Sequence, residues 1–359
     1  MRIGIVGLPN AGKSSLFNAL TKAGAEAANY PFTTLEPNVA VVPVHDERLV
    51  AVAKTLGSNP ITFETIAFHD IAGLVRGAHA GEGLGNQFLA NIRETDAIIH
   101  VVRAHDDAQV VHPEGRVDPS ADIDTIETEL VYADLEQAER RLERVGRQAK
   151  SGERALVAEA DWLRRVIEAL QAGRPVRSVP PPADAPDAMR LLQPLTAKPV
   201  LYVANVGEGE SEVPASVAEH AGGEGAGAVA VSARLDSELS ELDPEEAATM
   251  REELGAPESG LDAVVRGAFQ LLDLIQFFTA GEGKEARAHA VERGTTAWEA
   301  AGEIHTDIQR GFVRAEVVSW KDLVENGGYA GARDKGLLRL EGRDYTMRDG
   351  DVMTVKFTP

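Results

Sequence analysis

Residues 7–14 read Gly7-Leu8-Pro9-Asn10-Ala11-Gly12-Lys13-Ser14, a G-x-x-x-x-G-K-S loop between an apolar, strand-like run (Arg2 to Val6) and a helix-like run (Ser14 to Ala23). No other feature constrains the fold as strongly, because this loop works only where a strand hands over to a helix. Its glycines let the main chain wrap closely round a phosphate chain, so that successive N–H groups and the helix N-terminus point at anionic oxygens. Asn10, Ala11, Gly12, Lys13, Ser14 and Ser15 are therefore the expected nucleotide contacts. Lys13 would reach the β- and γ-phosphates as the catalytic cation, and the Ser14 hydroxyl would ligate Mg²⁺.

Further β-branched, apolar runs at Val39–Val44, Ile61–Phe68, Ala97–Val102, Val200–Val203 and Ala228–Val231 alternate with helical patterns. Such alternation predicts an α/β domain with a mainly parallel sheet covered on both faces. Asp70-Ile71-Ala72-Gly73 follows one of these runs. A carboxylate there stands at a strand's C-terminal end beside the phosphate loop, where it can hold the Mg²⁺ shell, while the Gly73 N–H can approach the γ-phosphate. Glycines 77, 81, 83 and 85 give the next loop freedom to reorder when that phosphate leaves. Between the two motifs, Asn29 to Asn38 carries Thr33 and Thr34. Either hydroxyl can complete the magnesium shell, and chemistry alone does not choose between them.

From Val131 the apolar positions step Leu135, Ala138, Leu142, Val145, Ala149, and after Ser151-Gly152 a second seam runs Leu156, Ala160, Leu163, Ile167, Leu170. This spacing predicts an antiparallel coiled-coil arm over 126–199, inserted between the two halves of a nucleotide domain at 1–125 and 200–275. Two ordinary amphipathic helices packed on the sheet are the plainer alternative. Arg140, Arg144 and Arg147 share one helical face, which reads either as a solvated surface or as a stripe that docks a polyanion. Residues 276–359 change character to short strand-like runs with a closing Val352–Phe357, predicting a small α+β domain.

The net charge of −21 argues against general adhesion to nucleic acid or anionic lipid. That acidity is concentrated: residues 201–275 hold 3 Lys/Arg and 16 Asp/Glu, whereas 126–200 hold 12 of each, so a polyanion could still dock on the near-neutral segments. No apolar run approaches the roughly 18 residues of a spanning helix. With no cysteine and no secretory leader pattern, the expectation is a cytoplasmic, monomeric chain with no membrane partner. The histidines show no H-E-x-x-H or comparable metal spacing, and no G-x-S-x-G elbow occurs.

The phosphate loop, Asn29 to Asn38, Asp70 to Val75, Gly81-Glu82-Gly83-Leu84-Gly85-Asn86-Gln87-Phe88 and the tail from about Phe278 together resemble the YchF/Obg-like ATPase family over nearly the whole chain. The resemblance implies a Ras-like P-loop NTPase domain, an inserted antiparallel coiled-coil arm, a C-terminal TGS (ubiquitin-like) domain and the ribosome as partner. It also implies Thr34 as the hydroxyl that joins Ser14 on magnesium. Where guanine-specific switches carry N-K-x-D, this chain has Asn205-Val206-Gly207-Glu208. The lysine is absent and the acid is one methylene longer, so the bidentate guanine clamp is not spelled out and adenine is no longer excluded. By resemblance this form goes with ATP preferred over GTP, and Ser232-Ala233 matches the remaining base-side loop.

Leu74 stands where many GTPases place a glutamine that orients the attacking water, and its side chain cannot hydrogen-bond water. Three substitutes present themselves: His112, which matches a loop histidine implicated in catalysis in related members; Asn10 holding K⁺, by analogy with related switches; and Arg76 or His79. The expected reaction is hydrolysis of ATP to ADP and phosphate, as a nucleotide-dependent switch on the ribosome. The alternatives are an Obg-type GTPase, and a nucleotide-regulated ribosome- or RNA-binding module with little turnover.

Overall fold

The computed structural model describes residues 1–26, 38–71, 84–107, 110, 115–254 and 259–358. Among them the strands are β1 (Arg2–Val6), β2 (Val39–Val44), β3 (Ile61–Thr62), β4 (Glu64–Asp70), β5 (Ala97–Arg103), β6 (Val200–Asn205), β7 (Gly227–Val231), β8 (Leu274–Thr279), β9 (Ala286–Glu292), β10 (Phe312–Ser319), β11 (Arg339–Glu341) and β12 (Asp351–Phe357). They form two six-stranded sheets, ordered β2-β4-β1-β5-β6-β7 and β11-β10-β12-β8-β9-β3. The chain divides into two compact units: 1–42 with 67–271, and 43–66 with 272–359.

In the first sheet β1 pairs in parallel with β4 and β5, and β5–β6 and β6–β7 are parallel as well. β5 is buried at every position, which is why it reads as a near-continuous apolar run rather than an alternating one. The order brings the C-terminal ends of β1, β4, β5 and β6 side by side at the centre of the sheet, and the phosphate loop emerges from that edge. The helix Lys13–Glu26 follows this loop directly.

The inserted hairpin is present, with helices Pro119–Gln148 and Arg154–Gln171. The first begins before 126 because Asp118 caps it, accepting from the Ala121 N–H, with Pro119 in the first turn. The break is a 3₁₀ turn ending at Gly152, which takes φ +80°. All eleven seam positions read from the sequence belong to one hydrophobic cluster. That cluster also holds Trp162, Val166, Val176, Val179, Ala188 and Leu192, so the segment after the hairpin covers it as a third layer. Trp162 is fully buried and donates its indole N–H to the Val179 carbonyl at 2.9 Å.

The run Ile61–Phe68 is not one strand. It breaks at Phe63 into β3, which pairs with β9 of the second sheet, and β4, which pairs with β1 of the first. Residues 43–66, which lie within the segment 1–125 expected for the nucleotide domain, pack into the second unit. Arg48 holds them there. Its guanidinium meets Asp46 at 2.8 Å and Asp349 at 2.6 Å, and lies over the Phe278 ring at 5.6 Å. The rest of the second unit is a mixed sheet with the helix Ala297–Ile304, started by a capping box between Thr296 and Glu299. Its sheet has a hydrophobic cluster on each face, one including Phe277, Ala315 and Met353, the other Phe278, Val318 and Val352. No described helix is long and apolar enough to cross a membrane.

Burial pushes the His100 imidazole of β5 down to about 3, with the charges of His220 and Lys13 acting in the same direction. The folded chain thus keeps His100 neutral while the unfolded chain binds a proton near pH 6.5, so its contribution to stability is complete above 6.5 and is lost as pH falls toward 3. In urea titrations between pH 6 and 4, His100→Leu should flatten the pH dependence of unfolding by up to about 1.4 kcal/mol per pH unit. An unchanged slope would show that His100 is already charged in the folded state.

Candidate nucleotide-binding site

The loop at the end of β1 needs backbone conformations that side chains resist. Gly12 has φ +101°, and a Cβ there would overlap the Asn205 carboxamide. A Cβ at Gly7 would likewise overlap the Val101 carbonyl of the neighbouring strand. Asn10 takes φ +63°, a left-handed conformation that asparagine tolerates better than most residues. Beyond it, the helix starting at Lys13 presents its N-terminus to the loop.

A cleft of about 780 Å³ opens at this edge of the sheet. Asn10, Gly12, Lys13, Ser14 and Ser15 line it together with Asn205, Val206, Glu208 and Ser232. Thus residues nearly two hundred positions apart, singled out separately in the sequence, share one wall-to-wall site. Ala11 and Ala233 join it through their main chains. The Asn205 side chain donates to the Ala11 carbonyl at 3.1 Å and accepts from the Ala233 N–H at 3.1 Å. Thr34, Gly73 and His112, with Leu74, Arg76 and His79, lie outside the described residues.

Lys13 is buried and donates to the Leu8 carbonyl at 2.8 Å, so the ammonium is capped by its own loop. Burial lowers it to about 8, opposed by attraction to Asp70. Asp70 sits at the end of β4 in register with Ile5 of β1. Desolvation raises its carboxyl above the usual carboxylate range, opposed by the Lys13 charge. Each group makes the other's charge less costly, which suits a site built for a polyanion and its counter-ion.

Among the described residues no group of three or more His, Asp or Glu could cage a metal. A hydroxyl at Ser14 with one carboxylate at Asp70 nevertheless fits Mg²⁺, which is commonly held by one or two carboxylates plus substrate phosphates.

Among the cleft residues that were not foreseen, three make informative contacts. Arg103 ends an otherwise apolar strand and is buried, donating to the carbonyls of His105, Asp107 and Val110. A buried arginine closing the run Ala-Ile-Ile-His-Val-Val was the available signal. The His105 Nδ1 lies 3.0 Å from the Asn205 carbonyl oxygen, which can only accept, so Nδ1 carries the proton. Arg234 lies 3.5 Å from Glu208 and 3.0 Å from Glu238, and no local pattern announced it.

Strand order, loop conformation and cleft define a P-loop nucleotide-binding protein of the α/β class, with a second α/β unit at the C-terminus. Residues 2–140 match the family model MMR_HSR1, described as "50S ribosome-binding GTPase". Residues 274–358 match YchF-GTPase_C, described as "Protein of unknown function (DUF933)". The chain is 47% identical to the "Ribosome-binding ATPase YchF" of Bacillus subtilis (strain 168), over 99% of this chain and 98% of that relative. It is 49% identical to the protein of the same name from Haemophilus influenzae, over 99% of each. The solved Schizosaccharomyces pombe YchF GTPase superposes with a TM-score of 0.87 at 33% identity, covering 99% of this chain and 97% of that one. The chain belongs to the YchF family.

Gly12→Ala should weaken binding of ATP and GTP analogues by about 100-fold or more, near 3 kcal/mol, because the new methyl must displace Asn205 or the loop. Titration calorimetry measures this, and affinity within about threefold of the unmodified chain would contradict it.

Proposed function

We propose that this chain hydrolyses ATP, in preference to GTP, to ADP and phosphate with Mg²⁺, and acts in the cytoplasm as a monomeric nucleotide-dependent switch on the ribosome. The observation that carries the reading is the single cleft lined by a self-capped Lys13, Ser14, Asn205 and Ser232. An arriving triphosphate offers Lys13 stronger, charge-assisted acceptors than the Leu8 carbonyl, so the ammonium exchanges one for the other. Ser14, Thr34 and Asp70 are the proposed magnesium ligands. Held by those three residues, the metal would supply positive charge to offset the negative charge of the phosphates. The loop amides of Asn10 to Ser15, with that of Gly73, hold the phosphates in line. His112 is the proposed group for the attacking water, since Leu74 cannot orient one, and Asn10 is a candidate oxygen ligand for K⁺.

For the base, Val206 and Glu208 leave out the lysine and the shorter acid that clamp guanine, which supports ATP as the preferred substrate. Titration with non-hydrolysable analogues tests this: ATP should bind tighter, and Val206→Lys with Glu208→Asp should move the preference toward GTP by about tenfold or more. A tenfold preference of the unmodified chain for GTP would instead make it an Obg-type GTPase.

Relatives named as ribosome-binding support the partner, and the helical arm and C-terminal domain are the proposed contacts. Arg140 and Arg147 are exposed and pair with Glu136 and Glu143 on their own helix. Such surface pairs are worth about 0.3–0.5 kcal/mol, little enough for phosphate oxygens to displace the glutamates. Changing Arg140, Arg144 and Arg147 to Glu should weaken co-sedimentation with ribosomes while nucleotide affinity stays the same. Unchanged co-sedimentation would take the arm out of the interface.

A further inference from the structure

Strand register brings a second charged residue up to Glu208. β6 and β7 run in parallel with Asn205 opposite Val231, and the Val206 N–H donates to the Val231 carbonyl at 3.0 Å. Glu208 follows two residues after that donor, and Arg234 three residues after that acceptor. Both line the nucleotide cleft. The Asn205 carboxamide accepts from the Ala233 N–H, so the residue before Arg234 is tied to the one that ends β6. The guanidinium then has two acids within reach: its Nε lies 3.0 Å from Glu238 and 3.5 Å from Glu208. Glu238 stands one turn along the helix Ala233–Leu239 and keeps the arginine on this side of it. The positive charge thereby meets a carboxylate that comes from a different loop.

That contact bears on base choice because an ionised carboxylate can only accept hydrogen bonds. Guanine presents N1–H and a 2-amino group along the edge that guanine-specific switches clamp, whereas adenine has a bare N1 and no 2-amino group there. Glu208 alone would still favour guanine, in spite of its extra methylene and the missing lysine. We propose that Arg234 is a specificity-determining residue: it engages the Glu208 carboxylate, so guanine must compete with a guanidinium for the same oxygens. Adenine lacks both of those donors and loses nothing. This rests on the preference for ATP proposed above and names a residue that sets it. The Arg234 and Glu208 side chains are 72% and 56% exposed, so the effect has the size of a surface ion pair, about threefold in affinity. A charge at the cleft also acts on the phosphates, but ATP and GTP carry the same phosphates, and that part cancels in the ratio of their affinities.

The test is a double-mutant cycle on the full-length chain: unmodified, Arg234→Ala, Glu208→Ala and the two together. For each, titration calorimetry gives the Kd of a non-hydrolysable ATP analogue and of its GTP counterpart, and the ratio of the two is the readout. Arg234→Ala should move that ratio toward GTP by about threefold. With Glu208 already replaced by alanine, the same substitution should leave the ratio where Glu208→Ala alone puts it. A shift of less than about twofold, a shift toward ATP, or a shift equally large without Glu208 would each overturn the proposal. If the unmodified chain binds the GTP analogue tenfold tighter, the ATP reading fails and the role of Arg234 fails with it. An unmodified chain that prefers ATP, with the ratio unmoved in Arg234→Ala, removes Arg234 alone.

Discussion

One carboxamide sets the spacing of the whole nucleotide site. Asn205, at the end of β6, uses its side-chain oxygen on the Ala233 N–H and its nitrogen on the Ala11 carbonyl. Since it is 6% exposed, water does not compete well for either group, and breaking one bond leaves a buried polar atom at a cost of about 1–3 kcal/mol. The phosphate loop and the base-side loop are thereby held at one separation. The requirement for glycine at 12 follows directly, because the carboxamide occupies the space that any side chain there would need.

The phosphate end of the site is poised by opposition. Burial works against the charge on Lys13, and the same burial works against the charge on Asp70, yet each favours the other's ionised form. A lone buried ammonium would shed its proton or reach solvent. Here it caps a carbonyl of its own loop and stays next to a carboxylate one strand away. The arrangement holds positive charge where a triphosphate would place negative charge, in a setting that screens it poorly.

The foundation of this edge is shared with the helical arm. Val6, Leu8 and Ile71 pack in the same hydrophobic cluster as Phe88, Leu89 and Ile92 of the helix Leu84–Arg93 and as Ile126, Leu130 and Ala133 of the arm's first helix. Close by, the buried Asp134 carboxylate accepts from the Leu195 and Thr196 N–H groups and from the Thr196 hydroxyl, and lies 3.5 Å from Arg93. The arm is therefore rooted in the core that supports the phosphate loop, not tethered to it by a linker. In the second unit the Arg48 clamp plays the corresponding part by seating residues 43–66.

Local chemistry carried a great deal of this. The G-x-x-x-x-G-K-S run announces a strand–loop–helix junction because only that backbone geometry uses its glycines. The heptad positions from Val131 to Leu170 identify the buried face because helical periodicity is a property of the segment itself. Asn205, Glu208 and Ser232 could be named as site residues, but their convergence on Lys13 could not be derived from spacing, since strand order places them there. Tertiary structure alone decided that Ile61–Phe68 divides between two sheets, that Val176 to Leu192 covers the hairpin seam, and that Arg103 turns inward to grip three carbonyls. A sequence pattern records which side of an element avoids water. What covers that side, and which distant carbonyl receives a buried donor, is settled only when separate parts of the chain compete for the same space.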